Sequence, residues 1–257
     1  MIISQFPSGN GGGSLPSFSY TGRYEIEMDS GGWKVRFLSS GVLTMITMAL
    51  IDVFIVGGGG NGLNQDRWRF DEGYSNRFHI CGVGGGGGYT TTQKRLQLTE
   101  GSSYTIVVGY SGGVSSITPD DSSEWDGNSY SANGGQSAYI SSGASGGTYN
   151  AGDGGSGGAP ASVVEQTYNG IYISGNTRMP GGTDGADGPS GGGEGQGTTT
   201  REFGDAAGAL YASGGGAYMD WSKVPEMKTN TGDGGHGGLQ NYMLGSDGIV
   251  IIRNARG

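Results

Sequence analysis

Two seven-residue words in this chain differ by one letter: Gly-Asp-Gly-Gly-Ser-Gly-Gly at 152–158 and Gly-Asp-Gly-Gly-His-Gly-Gly at 232–238. Segments so rich in glycine have few ways to fold. In the extended left-handed helix of three residues per turn, positions three apart share an edge. Asp153 and Ser156 then line one edge, and the other two edges carry glycine only. The same frame applied to Gly182, Gly185, Gly188 and Gly191 leaves one bare edge, with Thr183, Asp184, Ala186, Asp187, Pro189 and Ser190 on the other two. That segment belongs at the periphery of a bundle. Residues 57–60 and 84–88 are glycine on all three edges, as an interior position requires.

Such a helix makes no internal hydrogen bonds, so its buried N–H and C=O groups must pair with neighbouring helices. Glycine suits this because a Cβ would hold two backbones apart. The cost is entropic, about 1–2 kcal/mol for each backbone residue ordered and most for glycine, so many tracts must pack cooperatively. The chain has 59 glycines among 257 residues, against a usual share of roughly 7%. A disordered Gly/Ser linker is the competing reading; the repeated word, the edge-sorted spacing and a strand-like C-terminus argue against it. A collagen triple helix is excluded, because the glycines keep no sustained every-third-residue register and only 7 prolines are present.

The remaining residues read as β-structure. Hydrophobic residues make up 33% of the chain, so a side-chain core serves only part of it. Tyr24, Ile26 and Met28 alternate with polar residues, and after Asp29-Ser30-Gly31-Gly32 the run Trp33, Val35, Phe37 alternates with Lys34 and Arg36, the pattern of a β-hairpin. Further strands are expected at 42–47, 51–56, 89–98, 104–108, 137–140 and 249–252. Residues 7–19 mix Pro7, Pro16, glycines and serines, a linker composition. The expected organisation is an attachment segment over 1–20 and one glycine-rich domain over 21–257. The expected fold class is all-β, a sandwich with an inserted bundle of polyglycine II helices.

A formal charge of −9 disfavours nucleic acid as a partner. The single cysteine, Cys81, allows no internal disulfide, and paired Cys/His zinc spacings are missing. The longest apolar stretch, 42–56, is broken by Thr44, Thr47 and Asp52, so no membrane insertion is expected. The N-terminus has neither the basic start nor the apolar run of a signal peptide.

Four long inserts interrupt the glycine tracts, at 61–80, 114–133, 160–180 and 217–231. They carry Trp68, Arg69, Phe70, Tyr74, Trp125, Asp126, Tyr130, Tyr168, Tyr172, Tyr218 and Trp221, the expected receptor-contacting residues. Large aromatics on loops among Ser, Asn, Asp and Gly match the make-up of antibody paratopes. The competing reading is that each ring folds back to cap a bundle with little side-chain core. Arg67, Arg69 and Arg77 make the first insert basic, while Asp120, Asp121, Glu124 and Asp126 make the second acidic, so the two could pair or address separate features of one receptor.

Catalysis finds little support. His79 and Cys81 would share a face of a strand, but no oriented base or oxyanion site accompanies them. His236 reads as an exposed edge residue. Neither a Gly-Lys-Ser/Thr phosphate loop nor His-Glu-x-x-His occurs. Asp184 with Asp187, and Asp120, Asp121 with Asp126, match no EF-hand or nonapeptide calcium repeat and read as solvated acidic loops. No enzymatic activity, cofactor or metal is expected.

Four passages carry a resemblance: Ile51-Asp52-Val53-Phe54-Ile55-Val56 running into residues 57–60, residues 84–88 followed by Tyr89-Thr90-Thr91-Thr92, residues 195–204, and Asp247-Gly248-Ile249-Val250-Ile251-Ile252-Arg253. In this order they resemble the glycine-rich C-terminal domains of tail fibre proteins from bacteriophages and prophages of gut Firmicutes. The resemblance implies a virion tail protein working at the host surface, a receptor-binding adhesin joined to upstream fibre segments, with a glycan or outer surface protein of the bacterium as receptor. A more distant likeness, to the glycine-rich domain of anaplastic-lymphoma-kinase-type receptors, implies a tumour-necrosis-factor-like or jelly-roll sandwich as the host of the glycine helices. The alternative expectation is a structural tail-tip or surface module without a specific ligand.

Overall fold

The computed structural model of the protein describes residues 13–256, apart from 71–75, 142–147, 161, 168–169, 175–177, 189–191, 219–221, 223 and 239–240. Within 65–81, 148–149 and 162–178 it describes the backbone alone. Two antiparallel five-stranded sheets pack face to face. One runs in the order Phe18–Tyr20, Gly41–Met45, Ser103–Val107, Ser115–Pro119, Tyr130–Ala132. The other runs Tyr24–Asp29, Gly32–Phe37, Ile249–Asn254, Ala49–Val56, Thr90–Leu98. Neither closes into a barrel and no α-helix occurs among the described residues, so the fold is an all-β sandwich.

Strand alternation builds its core. Trp33, Val35 and Phe37 meet Ile51, Val53, Ile55, Val250 and Ile252 of their own sheet and Leu43, Met45, Tyr104, Ile106 and Ile117 of the other. The expected hairpin is present, with Tyr24 opposite Phe37 and Met28 opposite Trp33. Leu15, Phe18 and Tyr20 fall in the segment expected as linker, yet they pack on this core, and Phe18–Tyr20 pairs with Gly41–Met45. Their apolar surface outweighs the Gly/Pro/Ser composition around them.

Strand Ala49–Val56 is buried on both faces, which is why its apolar run is nearly continuous. Phe54, Val56, Ile249 and Ile251 lie on the side away from the sandwich core, covered by Phe203, Tyr211 and Ala212. The one charge of the strand, Asp52, is 0% exposed and accepts from Arg253 Nε at 3.1 Å. Arg253 also pairs with Asp205 and lies 4.0 Å over the Phe203 ring. The pairing with Thr90–Leu98 slips between Ile51 and Val53. There Arg95, at φ 59°, donates its N–H to Asp52 Oδ1 at 3.2 Å.

The glycine tracts are inserted into this sandwich between Val56 and Thr90 and between Ala132 and Ile249, with residues 84–89 as their axis. Gly84, Gly85 and Gly86 donate in turn to the carbonyls of Ala159, Gly235 and Gln136, and Gly87, Gly88 and Tyr89 repeat the order at Ser156, Gly232 and Asn133. Gly84 and Gly87 accept from Gly152 and Gly155, Gly85 from Gly215, and Gly86 from Gly60. The axis thus has a different neighbour on every side, with the three-residue period of the extended left-handed helix. A Cβ at Gly86 would lie 2.0 Å from Asp153 O, and one at Gly87 1.9 Å from Ala212 O. Residues 57–60 are interior as well: Gly57 and Gly60 donate to Tyr89 and Gly86, and Gly59 and Gly62 to Ser246 and Met243.

The two matching words fold differently. Residues 232–238 run straight, Gly232 and Gly235 accepting from Gly88 and Gly85 while Gly234 and Gly237 donate to Ser213 and Gly216. Residues 152–158 bend at Gly155 and Ser156. The chain runs parallel to the axis before the bend and antiparallel after it, so Asp153 and Ser156 share no edge. Ser156 is buried, its hydroxyl accepting Gly185 N–H at 3.2 Å. Residues 182–188 also turn rather than run straight, because Asp184 and Gly185 take φ of 52° and 82°. Gly182, Gly185 and Gly188 are still buried while Thr183 and Asp187 face outward, so the peripheral placement holds.

Candidate functional site

Backbone hydrogen bonds align one end of the bundle. Gly84 donates to Ala159, Ala159 to Gly215, Gly237 to Gly216, Met243 to His236, Gly62 to Met243, and Ala138 to Asn61. This end lies away from the sandwich and is closed by Val83, Ala138 and Ala151, with Leu63 against them. The first and third inserts leave from it. Their strands Gly170–Ser174, Ser162–Thr167, Asn76–Val83 and Leu63–Phe70 form one antiparallel sheet. The fourth insert starts here, where Arg178–Met179, Ala217–Tyr218 and Gly237–Gly238 pair.

The second insert belongs to the other pole. Its loop joins Ser115–Pro119 to Tyr130–Ala132 at their far ends, since Ser115 is the end bonded to Gly109 and Ala132 the end leading to Asn133 of the bundle. Residues 13–17 lie at the same pole, lining a cleft with Trp33, Met48 and Asn254.

The expected contact residues therefore divide. Trp68, Arg69 and Phe70 are on Leu63–Phe70 and Tyr172 is on Gly170–Ser174, at the bundle pole; their side chains, and Tyr74, Tyr168 and Trp221 entirely, lie outside the described residues. Tyr218 is 2% exposed, its ring edge-on to His236 at 5.2 Å, and serves the scaffold rather than a partner. Trp125, Asp126 and Tyr130 are at the sandwich pole. No single surface includes all of them, and the described backbones of the basic first insert and the acidic second lie at opposite poles.

The Trp125 loop is strained and firmly held. Trp125, Asp126 and Gly127 take φ of 50°, 55° and 74° in succession, at about 1–2 kcal/mol for each residue with a Cβ. Trp125 stacks on Tyr104 at 5.1 Å, lies 5.5 Å from Tyr130, and donates its indole N–H to Gln97 O at 2.8 Å. Glu124 accepts from the hydroxyls of Tyr104 and Ser102. Burial and the Glu124 carboxylate push the Tyr104 phenol up to about 12, which keeps it a donor. Trp125 and Tyr130 are thus half-buried anchors, and Asp126 is the exposed member of the set.

Several titratable groups are bound into the scaffold. Asp233 Oδ1 accepts Ser213 N–H and His236 Nδ1 accepts Gly216 N–H, each at 2.8 Å, so the side chains of one word clamp positions three apart on the next helix. His236 is a half-buried clamp rather than an exposed edge residue. Burial raises Asp233 above the usual carboxylate range. Asp184 is held below it by bonds from the Thr199 hydroxyl, Thr200 N–H and Arg201. Asp120 accepts from Thr105, Asp121 from Ser123 N–H and Asp187 from Gly195 N–H. Among the described residues no three His, Cys, Asp or Glu converge to hold a metal. His79 and Cys81 lie on Asn76–Val83, opposite Trp68 and Asp66. A cleft of about 520 Å³ is lined by Arg36, Tyr211, Lys228, Asp233 and His236; Arg36 there is paired with Glu27 at 3.0 Å, so most of its polar lining serves the scaffold.

Sequence reasoning missed another set. Tyr110, Tyr139, Tyr242 and Leu244 stand exposed beside the bundle. They lie within or next to short glycine tracts, where a large apolar side chain beside residues that carry none was the available signal.

The glycine-rich domain family profile matches residues 39–255. Searches of curated proteins and of solved structures find no match. With most of its length covered, including the whole bundle and the sandwich strands from Gly41 onward, the chain belongs to the glycine-rich domain family.

Proposed function

We propose that the protein is a receptor-binding module of the bacteriophage tail fibre type, whose glycine bundle holds its inserts toward a bacterial surface. One observation carries this reading: the inserts bearing Trp68, Arg69, Phe70, Tyr74, Tyr168 and Tyr172 leave and re-enter at one end of the bundle, and the insert bearing Trp221 starts there. A rigid scaffold that gathers aromatic-rich loops at one pole is the arrangement recognition requires. Backbone bonds supply the rigidity, so the loops are free to carry contact residues. On this reading the protein works at the virion tail, with upstream fibre segments at the sandwich pole.

The test is binding of the fluorescently labelled protein to a panel of gut Firmicutes cells, with Trp68→Ala, Trp221→Ala and Trp125→Ala compared. At least one strain binds, the first two variants lose binding, and the third keeps it. If no strain binds, or if the first two variants bind as the parent does, the reading falls and an inert structural tip is left.

A further inference from the structure

The exposed side chains beside the bundle are not scattered. Asn61 ties three segments together: its Oδ1 accepts from Gly245 N–H at 3.0 Å and from the Ser111 hydroxyl, its N–H donates to Ser137 Oγ at 2.9 Å, and its C=O accepts Ala138 N–H at 2.9 Å. One residue along from Gly245, Ser111 and Ala138 stands a large side chain facing solvent: Leu244, 62% exposed, Tyr110, 80%, and Tyr139, 46%. Tyr242 is exposed on the same segment as Leu244. The backbones beneath are fixed, Gly58 donating to Gly113, Gly112 to Gly59 and Gly62 to Met243.

The patch is also uncharged. Segments 57–64, 109–119, 130–152 and 237–246 contain no Asp, Glu, Lys, Arg or His, in a chain whose formal charge is −9. A partner recognised here offers no charge to be matched. Tyrosine rings present a negative π face and a hydroxyl, and Asn61, Ser111 and Ser137 add short hydrogen-bonding groups. Pyranose rings are the complement: their C–H faces carry partial positive charge that sits on an aromatic face, and their hydroxyls both donate and accept. Tyr, Ser, Asn and Gly together also combine low conformational cost with adaptable polar contacts.

We propose that the surface around Asn61, bearing Tyr110, Tyr139, Tyr242 and Leu244, is a binding site for an uncharged glycan. The proposal rests on the receptor-binding reading and names a surface and a ligand class for it.

The intact protein is applied to an array of bacterial oligosaccharides containing neutral, carboxylate-bearing and phosphate-bearing members, beside Tyr110→Ala, Tyr139→Ala, Leu244→Ala and Tyr110→Phe. Neutral glycans bind, each alanine variant weakens binding about tenfold or more, and Tyr110→Phe retains most of it. Thermal unfolding of each variant is measured in parallel, and a melting temperature equal to the parent's assigns the loss to the surface. The proposal is overturned if signal is confined to charged glycans, if no glycan binds, or if the alanine variants bind normally. On cells, periodate oxidation of surface diols abolishes binding whereas protease treatment spares it; the reverse would make the partner a protein. Loss of cell binding in Trp68→Ala with none in Tyr110→Ala would sink this site and leave the receptor-binding reading standing.

Discussion

Gly86→Ala is the sharpest test of the bundle. A Cβ there would lie 2.0 Å from the carbonyl oxygen of Asp153 and 2.4 Å from its carbon. A carbon rests no closer than about 3.3 Å to a carbonyl oxygen, so the two backbones must part by about 1 Å. The bonds at that level are Gly86 to Gln136 O at 2.9 Å, Gly60 to Gly86 O at 2.8 Å and Gln136 to Asp153 O at 2.7 Å. Such a displacement takes them beyond hydrogen-bonding range. Leaving two buried groups unpaired costs about 2–6 kcal/mol, and the lost freedom of the unfolded chain returns only about 0.4–1 kcal/mol. The net effect lowers the melting temperature by about 10 °C, read by circular dichroism. Gly13→Ala, with nothing within 4 Å of the new methyl, is the control and melts with the parent. If Gly86→Ala also melts with the parent, tight backbone packing is not what holds the bundle.

Other expectations follow from the same geometry. Asp52→Ala strips the buried Arg253 guanidinium of its fully buried partner and destabilises by about 3–5 kcal/mol, measured by denaturant unfolding; Asp205→Asn, at a half-exposed carboxylate, costs about 1 kcal/mol or less. Asp184 has a depressed folded value, so its contribution is complete above the usual carboxylate range and is lost as pH falls through that folded value. Asp184→Asn therefore flattens the acid limb of stability against pH. Asp233, raised by burial, acts in the opposite sense: its contribution is present at low pH and lost as pH rises through its folded value. Asp233→Asn keeps an acceptor for Ser213 N–H and leaves neutral-pH stability equal or higher in the same titration. Trp125→Ala loses the Tyr104 stack and the bond to Gln97, destabilising the sandwich by about 2–4 kcal/mol without loss of cell binding.

Particular residues mark how far the sequence carries. The alternation at Tyr24–Asp29 and Gly32–Phe37 gave the hairpin because period-two patterning is local. Phe18–Tyr20 escaped because its partner strand, Gly41–Met45, is distant in sequence and its neighbours are linker-like. Trp125 read as a loop aromatic, and the stacking partner that buries half of it, Tyr104, comes from another strand. Asn61 gave no signal at all, since its importance lies in joining three segments remote from one another in the chain.

Glycine spacing alone determined that the tracts would pack backbone to backbone and which of them could lie inside, because absence of a Cβ is a property of each position. It could not determine neighbours. Every glycine edge presents the same N–H and C=O, so two nearly identical words are equivalent until the surrounding chain fixes their register. Only then does 232–238 run straight beside the axis while 152–158 bends around it. The same tertiary register places one end of the bundle away from the sandwich, and so decides which loops share a pole.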